Sequence, residues 1–192
     1  MFSGCCTYDR NKFEFSINEQ TFFDKYKIGD TIYFQSNLGD VDTIAIIGID
    51  SEKYENCSGF SHKPINSKWI MIKHLPVDKW NGTLLEETNG FEARINFQWL
   101  LAISKYPTDK KTEYQINFKD FHSKPDTVIG IFDKDTLILN DLKLFNYFKV
   151  NREKSDKTGK PEDIETVYWT GEYGLTAYES KNGEIWTNKR CH

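Results

Sequence analysis

Between Glu165 and Lys189 the chain alternates strand-forming runs with tight-turn dipeptides, and this segment restricts the fold more than any other. Val167, Tyr168 and Trp169 are β-branched or aromatic, residue types that suit a pleated surface. Thr170-Gly171 and Tyr173-Gly174 interrupt them, and Leu175 to Glu179 then alternates apolar with polar residues. Lys181-Asn182-Gly183 turns the chain and Ile185-Trp186-Thr187 runs back. Asn-Gly between two such runs predicts a hairpin closed by a type I′ turn, whose two central residues both need positive φ.

The same grammar recurs upstream. Phe13 to Ile17 alternates and predicts a first strand, while Gln20 to Tyr26 reads as either a helical turn or irregular chain. Thr31 to Ser36 and Val41 to Ile49 flank the turn Asn37-Leu38-Gly39-Asp40 and predict a hairpin. Glu52 to Lys68 and Pro76 to Gly90 are polar and read as loops around the strand Trp69 to Ile72. A long strand is predicted from Phe91 to Ser104, paired with Glu113 to Phe118. Val128 to Phe132, Thr136 to Leu139, Leu142 to Leu144 and Tyr147 to Val150 follow, and then a charged loop from Asn151 to Asp163. Many short strands between turn signals mean an all-β fold with little helix: an antiparallel meander forming a sandwich or a partly open barrel. Residues 13–192 read as one β domain, behind a short N-terminal tether at residues 1–12.

The net charge is −4 with both signs interspersed, so no basic patch offers itself to nucleic acid. No apolar run has the length of a membrane-spanning helix. The four cysteines, Cys5, Cys6, Cys57 and Cys191, include no CxxC pair, which argues against a structural zinc site. Phe2-Ser3-Gly4-Cys5 resembles the end of a bacterial lipobox, although the charged start and apolar region of a signal are not in front of it. On that resemblance Met1 stands for a removed signal or a late start, and Cys5 is the lipid anchor that ties the chain to a membrane leaflet. Cys6 to Lys12 then form a polar tether. In an oxidising envelope a disulfide between Cys57 and Cys191 is one option; Cys6 with Cys57 is the competitor, and simple buried thiols are a third.

Taken together, several segments resemble the uncharacterised envelope lipoproteins of Bacteroidota. They are Gly29 to Thr43, Leu139-Asn140-Asp141 followed by Tyr147 to Val150, and Val167-Tyr168-Trp169 with Tyr173-Gly174-Leu175 and Gly183-Glu184-Ile185-Trp186. These motifs are structural. The resemblance implies a small all-β lipoprotein and transfers no active site. With Asp9 as the only acidic residue close behind Cys5, it points to the periplasmic face of the outer membrane. Asp30-Thr31-Ile32, Asp42-Thr43-Ile44, Asp126-Thr127-Val128 and Asp135-Thr136-Leu137 match the O-glycosylation pattern of that phylum, but Asp ending a turn before a strand explains them more simply.

Residues that carry chemistry are sparse. The four histidines include no pair at metal-ligand spacing. Asp120, His122 and Ser123 suggest a triad only loosely, because no nucleophile elbow accompanies them. Asp40, Asp42, Asp133 and Asp135 read as turn carboxylates rather than a cation loop. Glu86-Glu87, or Glu172 with Glu179, are conceivable glycosidase acids, with solvated charge as the default. Trp69, Trp99, Trp169 and Trp186 read as sheet core, leaving Trp80, in a polar loop, as the candidate ligand contact. No metal or cofactor is expected. The expected function is that of a lipid-anchored, non-enzymatic envelope protein acting on another envelope protein or a glycan. An immunity-type inhibitor of a periplasmic toxin is the alternative. An envelope hydrolase would need a cleft joining Asp120, His122 and a nucleophile.

Overall fold

A computed structural model describes residues 14–54, 64–75, 82–88, 91–106, 112–124, 135–139, 141–152 and 160–191. The N-terminal hairpin consists of β1 (Thr31–Ser36) and β2 (Val41–Tyr54), and the closing meander of β11 (Ile164–Thr170), β12 (Gly174–Ser180) and β13 (Ile185–Asn188). β1 pairs with β13, Phe34 opposite Asn188 and Ser36 opposite Trp186, so the end of the chain lies beside its beginning. Between them come β3 (Ile65–Leu75), β4 (Gly82–Thr88), β5 (Phe91–Lys105), β6 (Thr112–Phe118), β7 (Phe121–His122), β8 (Leu137–Leu139), β9 (Leu142–Leu144) and β10 (Tyr147–Asn151). Among the described residues, one eleven-stranded antiparallel sheet runs β10-β11-β12-β13-β1-β2-β3-β5-β6-β7, with β4 on β5; β8 and β9 form a separate two-stranded sheet. The large sheet curls into a half-barrel, the partly open barrel of the two expected architectures.

The inner face carries the main core. Ile32, Phe34, Ile44, Ile46, Ile70, Ile72, Leu101, Ile103, Phe118, Val167, Trp169 and Leu175 all bury there. The two flanks of the sheet are bridged in two ways. Arg152, just after β10, donates to the carboxylate of Asp120 in the β6–β7 turn and to the Ile164 carbonyl at 2.6 Å. Phe22 meets Tyr114 of β6, Phe148 of β10 and Trp169 of β11 at ring-centroid distances of 5.9, 6.3 and 6.4 Å.

Phe22 belongs to a plug, Phe22-Phe23-Tyr26, that the N-terminal segment inserts into the opening. The segment begins with a helical turn, α1 (Ile17–Gln20), so Ile17, expected at the end of a strand from Phe13, opens a helix instead. Ser16 and Glu19 form a capping box: the Ser16 hydroxyl accepts the Glu19 N–H, and the Glu19 carboxylate accepts the Ser16 N–H at 2.6 Å. Lys105 and Thr112 hold the same carboxylate against the sheet, the Lys105 Nζ at 2.7 Å. At the inner end of the plug, the Tyr26 hydroxyl accepts the Leu175 N–H at 2.8 Å. A side chain at residue 174 would put its Cβ 2.2 Å from that hydroxyl, and the φ there is +73°, so only glycine fits.

Three local expectations are corrected. Glu52 to Tyr54 and Ile65 to Lys68, read as loop, are strand, paired from Glu52 opposite Ser67 to Tyr54 opposite Ile65. Gly82 to Thr88, also read as loop, pairs with β5 along its whole length. The ladder supplies their backbone hydrogen bonds, so these ends need no apolar pattern of their own. The Asn182-Gly183 turn is not type I′. Gly183 alone has positive φ, the Gly183 N–H bonds the Ser180 carbonyl, and the Ser180 N–H bonds the Glu184 carbonyl. That is a turn followed by a glycine bulge, and Ser36 to Asp40 repeats it with Gly39.

Candidate functional site

Cys5, Cys57 and Trp80 lie outside the described residues, as do Asp133 and Val128 to Phe132. Cys191 is a free thiol, half-buried. Burial first, then the nearby Glu172 charge, pushes its pKa up to about 12. The triad residues do not converge. Asp120 is committed to Arg152, His122 Nδ1 sits 2.9 Å from Asn117 Oδ1, and the Ser123 hydroxyl accepts the Ile116 N–H at 2.8 Å. Glu179 accepts the Tyr168 hydroxyl at 3.1 Å, a cross-strand structural bond. Among the described residues, no three His, Cys, Asp or Glu side chains gather as a metal site.

Asp42, one of the turn carboxylates, lies instead in a polar knot inside one end of the half-barrel. Lys119 Nζ lies 2.8 Å from Asp42 Oδ2 and donates to the Tyr178 hydroxyl at 2.9 Å, and that hydroxyl donates to Asp42 at 2.8 Å. The ammonium also lies 4.7 Å from the Tyr178 ring centre and 5.1 Å from that of Trp186, itself stacked on Tyr178. Lys119 has a φ of +54°, and Gln98 clamps it there. The Gln98 Oε1 accepts the Lys119 N–H at 2.8 Å, and its Nε2 donates to the Lys119 carbonyl at 2.7 Å. The His74 Nε2 therefore donates to Gln98 Oε1, 2.9 Å away. Burial lowers the His74 pKa, and the Lys119 charge adds to this, against the opposing pull of Gln98 and Asp42. Burial, with Asp42 second, raises the Tyr178 pKa well above its ordinary value. Asp42, Lys119, Tyr178 and Gln98 satisfy one another, and the knot's work is to hold the β6–β7 turn against β2 and β12.

The outer face of the sheet falls into two parts. Over β11 to β13, the hairpin of β8 and β9 lays Leu139, Leu142 and Leu144 on Tyr168, Ala177 and Ile185, a second small core. Over β1, β2, β3 and β5, no second hairpin lies among the described residues. Trp69 and Trp99, expected in the core, stand on this bare part, their ring centres 6.0 Å apart, with Phe97 6.4 Å beyond Trp99. Trp99 is 45% exposed, and Tyr33 and Val41 are exposed on the same sheet. Gly48 lets Met71 lie flat, since a Cβ there would come within 2.3 Å of the Met71 methyl. The alternation that identified these strands cannot say which face is covered, and that is why the two tryptophans were misplaced.

Where the covered and bare parts meet there is a groove of about 530 Å³. One wall is Gln35, Ser36 and Asn37, with Thr187 and Lys189 beside them; the other is Leu139, Asp141 and Leu142 of the covering hairpin. Its signal in the sequence was only the turn Asn140-Asp141. Compared with known protein families, curated proteins and solved structures, the chain matches none.

Proposed function

We propose that the chain is a lipid-anchored, non-enzymatic protein of the cell envelope that works by contact. Its contact surface is the bare face of β1, β2, β3 and β5, and its partner is another envelope protein. The observation that carries this reading is the exposed Trp99 beside Trp69 and Phe97, on a sheet whose other half is shielded by its own hairpin. Exposed apolar patches of this kind mark interaction sites, and tryptophan is enriched at the centres of such interfaces. The anchor is Cys5, on the strength of Phe2-Ser3-Gly4-Cys5, with the domain on the periplasmic side of the outer membrane.

Two measurements test the reading. Intact mass of the protein from its full gene in its own host will show a diacyl or triacyl increment on Cys5; an unmodified chain removes the anchor. Cross-linked envelopes will yield a defined protein adduct with the natural chain and none with Trp99→Glu. An adduct that survives this substitution, or a glycan recovered in place of a protein, overturns the assignment of face and partner.

A further inference from the structure

We infer that the groove between the covering hairpin and the β1–β13 rim is a binding site for an uncharged saccharide, separate from the contact face. Its volume, about 530 Å³, lies within the range of small-ligand sites, roughly 300–1,000 Å³. The lining combines what a pyranose needs on its two aspects. Leu139 and Leu142 are buried leucines whose edges reach the groove and meet the C–H face of a sugar ring. Gln35, Ser36 and Asn37 supply directed polar groups for its hydroxyls.

Two of those polar groups, on Ser36 and Asn37, are held in place by the hairpins. The Asn37 Oδ1 accepts the Ile185 N–H at 3.1 Å, which leaves its NH₂ to donate outward. The Ser36 hydroxyl oxygen accepts the Leu38 and Asp40 N–H groups, both at 3.1 Å, which leaves its O–H as a donor. Sites of this kind bind by preformed hydrogen bonds, because displaced water is replaced without reorganising the walls.

Charge excludes other ligand classes. Asp141 and Lys189 face the groove with opposite signs, and neither has an ion-pair partner among the described residues. Their charges cancel, so the groove offers no net attraction to a phosphate or an acidic sugar. Both are exposed, and an exposed ion pair contributes only about 0–1 kcal/mol, too little to hold a small zwitterion such as an amino acid. Hydrogen bonding to the amides and to Asp141, with apolar contact below, is the recognition that remains.

The test is saturation-transfer NMR and titration calorimetry on the folded chain with maltose, cellobiose and diacetylchitobiose, and with alanyl-alanine as the zwitterionic control. At least one disaccharide is expected to bind, Gln35→Ala is expected to weaken it tenfold or more, and Asp141→Ala, at an exposed position, about threefold. Asp141 lies in an exposed turn, so its variant folds even where the Gln35 variant does not. No signal from any of the disaccharides, unchanged affinity in Asp141→Ala, or binding of alanyl-alanine alone would overturn the site. Loss of sugar binding in Trp99→Ala, with Asp141→Ala unaffected, would move the sugar to the aromatic face. None of these outcomes depends on whether a protein docks on that face.

Discussion

One curled sheet presents two different outer surfaces. Over β11 to β13 each strand is packed on both sides: Trp169 and Leu175 face the main core, while Tyr168 and Ala177 lie beneath Leu139, Leu142 and Leu144. Over β2, β3 and β5 the inner face is as well buried, with Ile44, Ile46, Ile70 and Ile72 at most 1% exposed, yet the outer face carries Trp69, Met71 and Trp99 without a cover among the described residues. The alternation in both halves follows from strand geometry alone; what differs is whether the described residues supply a second layer.

The harshest way to disturb the packed half is Gly174→Ala. It combines a strained positive φ with a clash against Tyr26, and is expected to cost about 3–5 kcal/mol in a denaturant titration. Next comes a direct contrast between the halves. Leu142→Ala removes a side chain that is 4% exposed and is expected to cost about 2–3 kcal/mol, whereas Trp99→Ala on the bare half is expected to cost less than about 1 kcal/mol. Equal costs for the two would erase the distinction.

A smaller effect separates the halves by pH, through His74 of β3, beneath the bare face. Its folded pKa lies below 6.5, so the unfolded chain binds the extra proton first. Stability is then full above pH 6.5 and falls as the pH drops from there towards the folded value. His74→Gln is expected to flatten this slope in urea titrations between pH 7 and 5. Glu19, below its usual 4.5 because bonds from Lys105, Thr112 and Ser16 together outweigh its burial, adds a second loss below pH 4.5. The least effect is kinetic. With its pKa near 12, Cys191 beneath the covering hairpin is expected to resist iodoacetamide at pH 8, and Leu142→Ala, which loosens that cover, to speed its alkylation.

Much of this fold was written locally. The hairpin of β1 and β2, the long β5 and its pairing with β6, and the closing meander all fall where turn residues and alternation put them. Errors arose where one local signal masked another or where tertiary partners decided. Phe13 to Ile17 alternates like a strand, and that pattern hid the Ser16-Ile17-Asn18-Glu19 capping box. The polar ends of β2 and β3 had no apolar pattern to reveal them, since they are held by backbone pairing. The knot of Asp42, Lys119 and Tyr178 draws on three distant strands and turns, and no spacing announces it. Likewise, Trp69 and Trp99 sit in apolar runs that read as core, and only the position of the β8–β9 hairpin shows which outer face has no cover among the described residues.

Hydroxyl-radical footprinting of Trp99 against Tyr168 tests the central claim most directly, on the purified protein and on intact envelopes of its own host. The purified chain should be oxidised at Trp99 and spared at Tyr168, which is 6% exposed beneath its own hairpin. In the envelope, Trp99 should become protected while Tyr168 stays unchanged. A Trp99 oxidised as readily in the envelope as in solution would mean that nothing docks on the bare face.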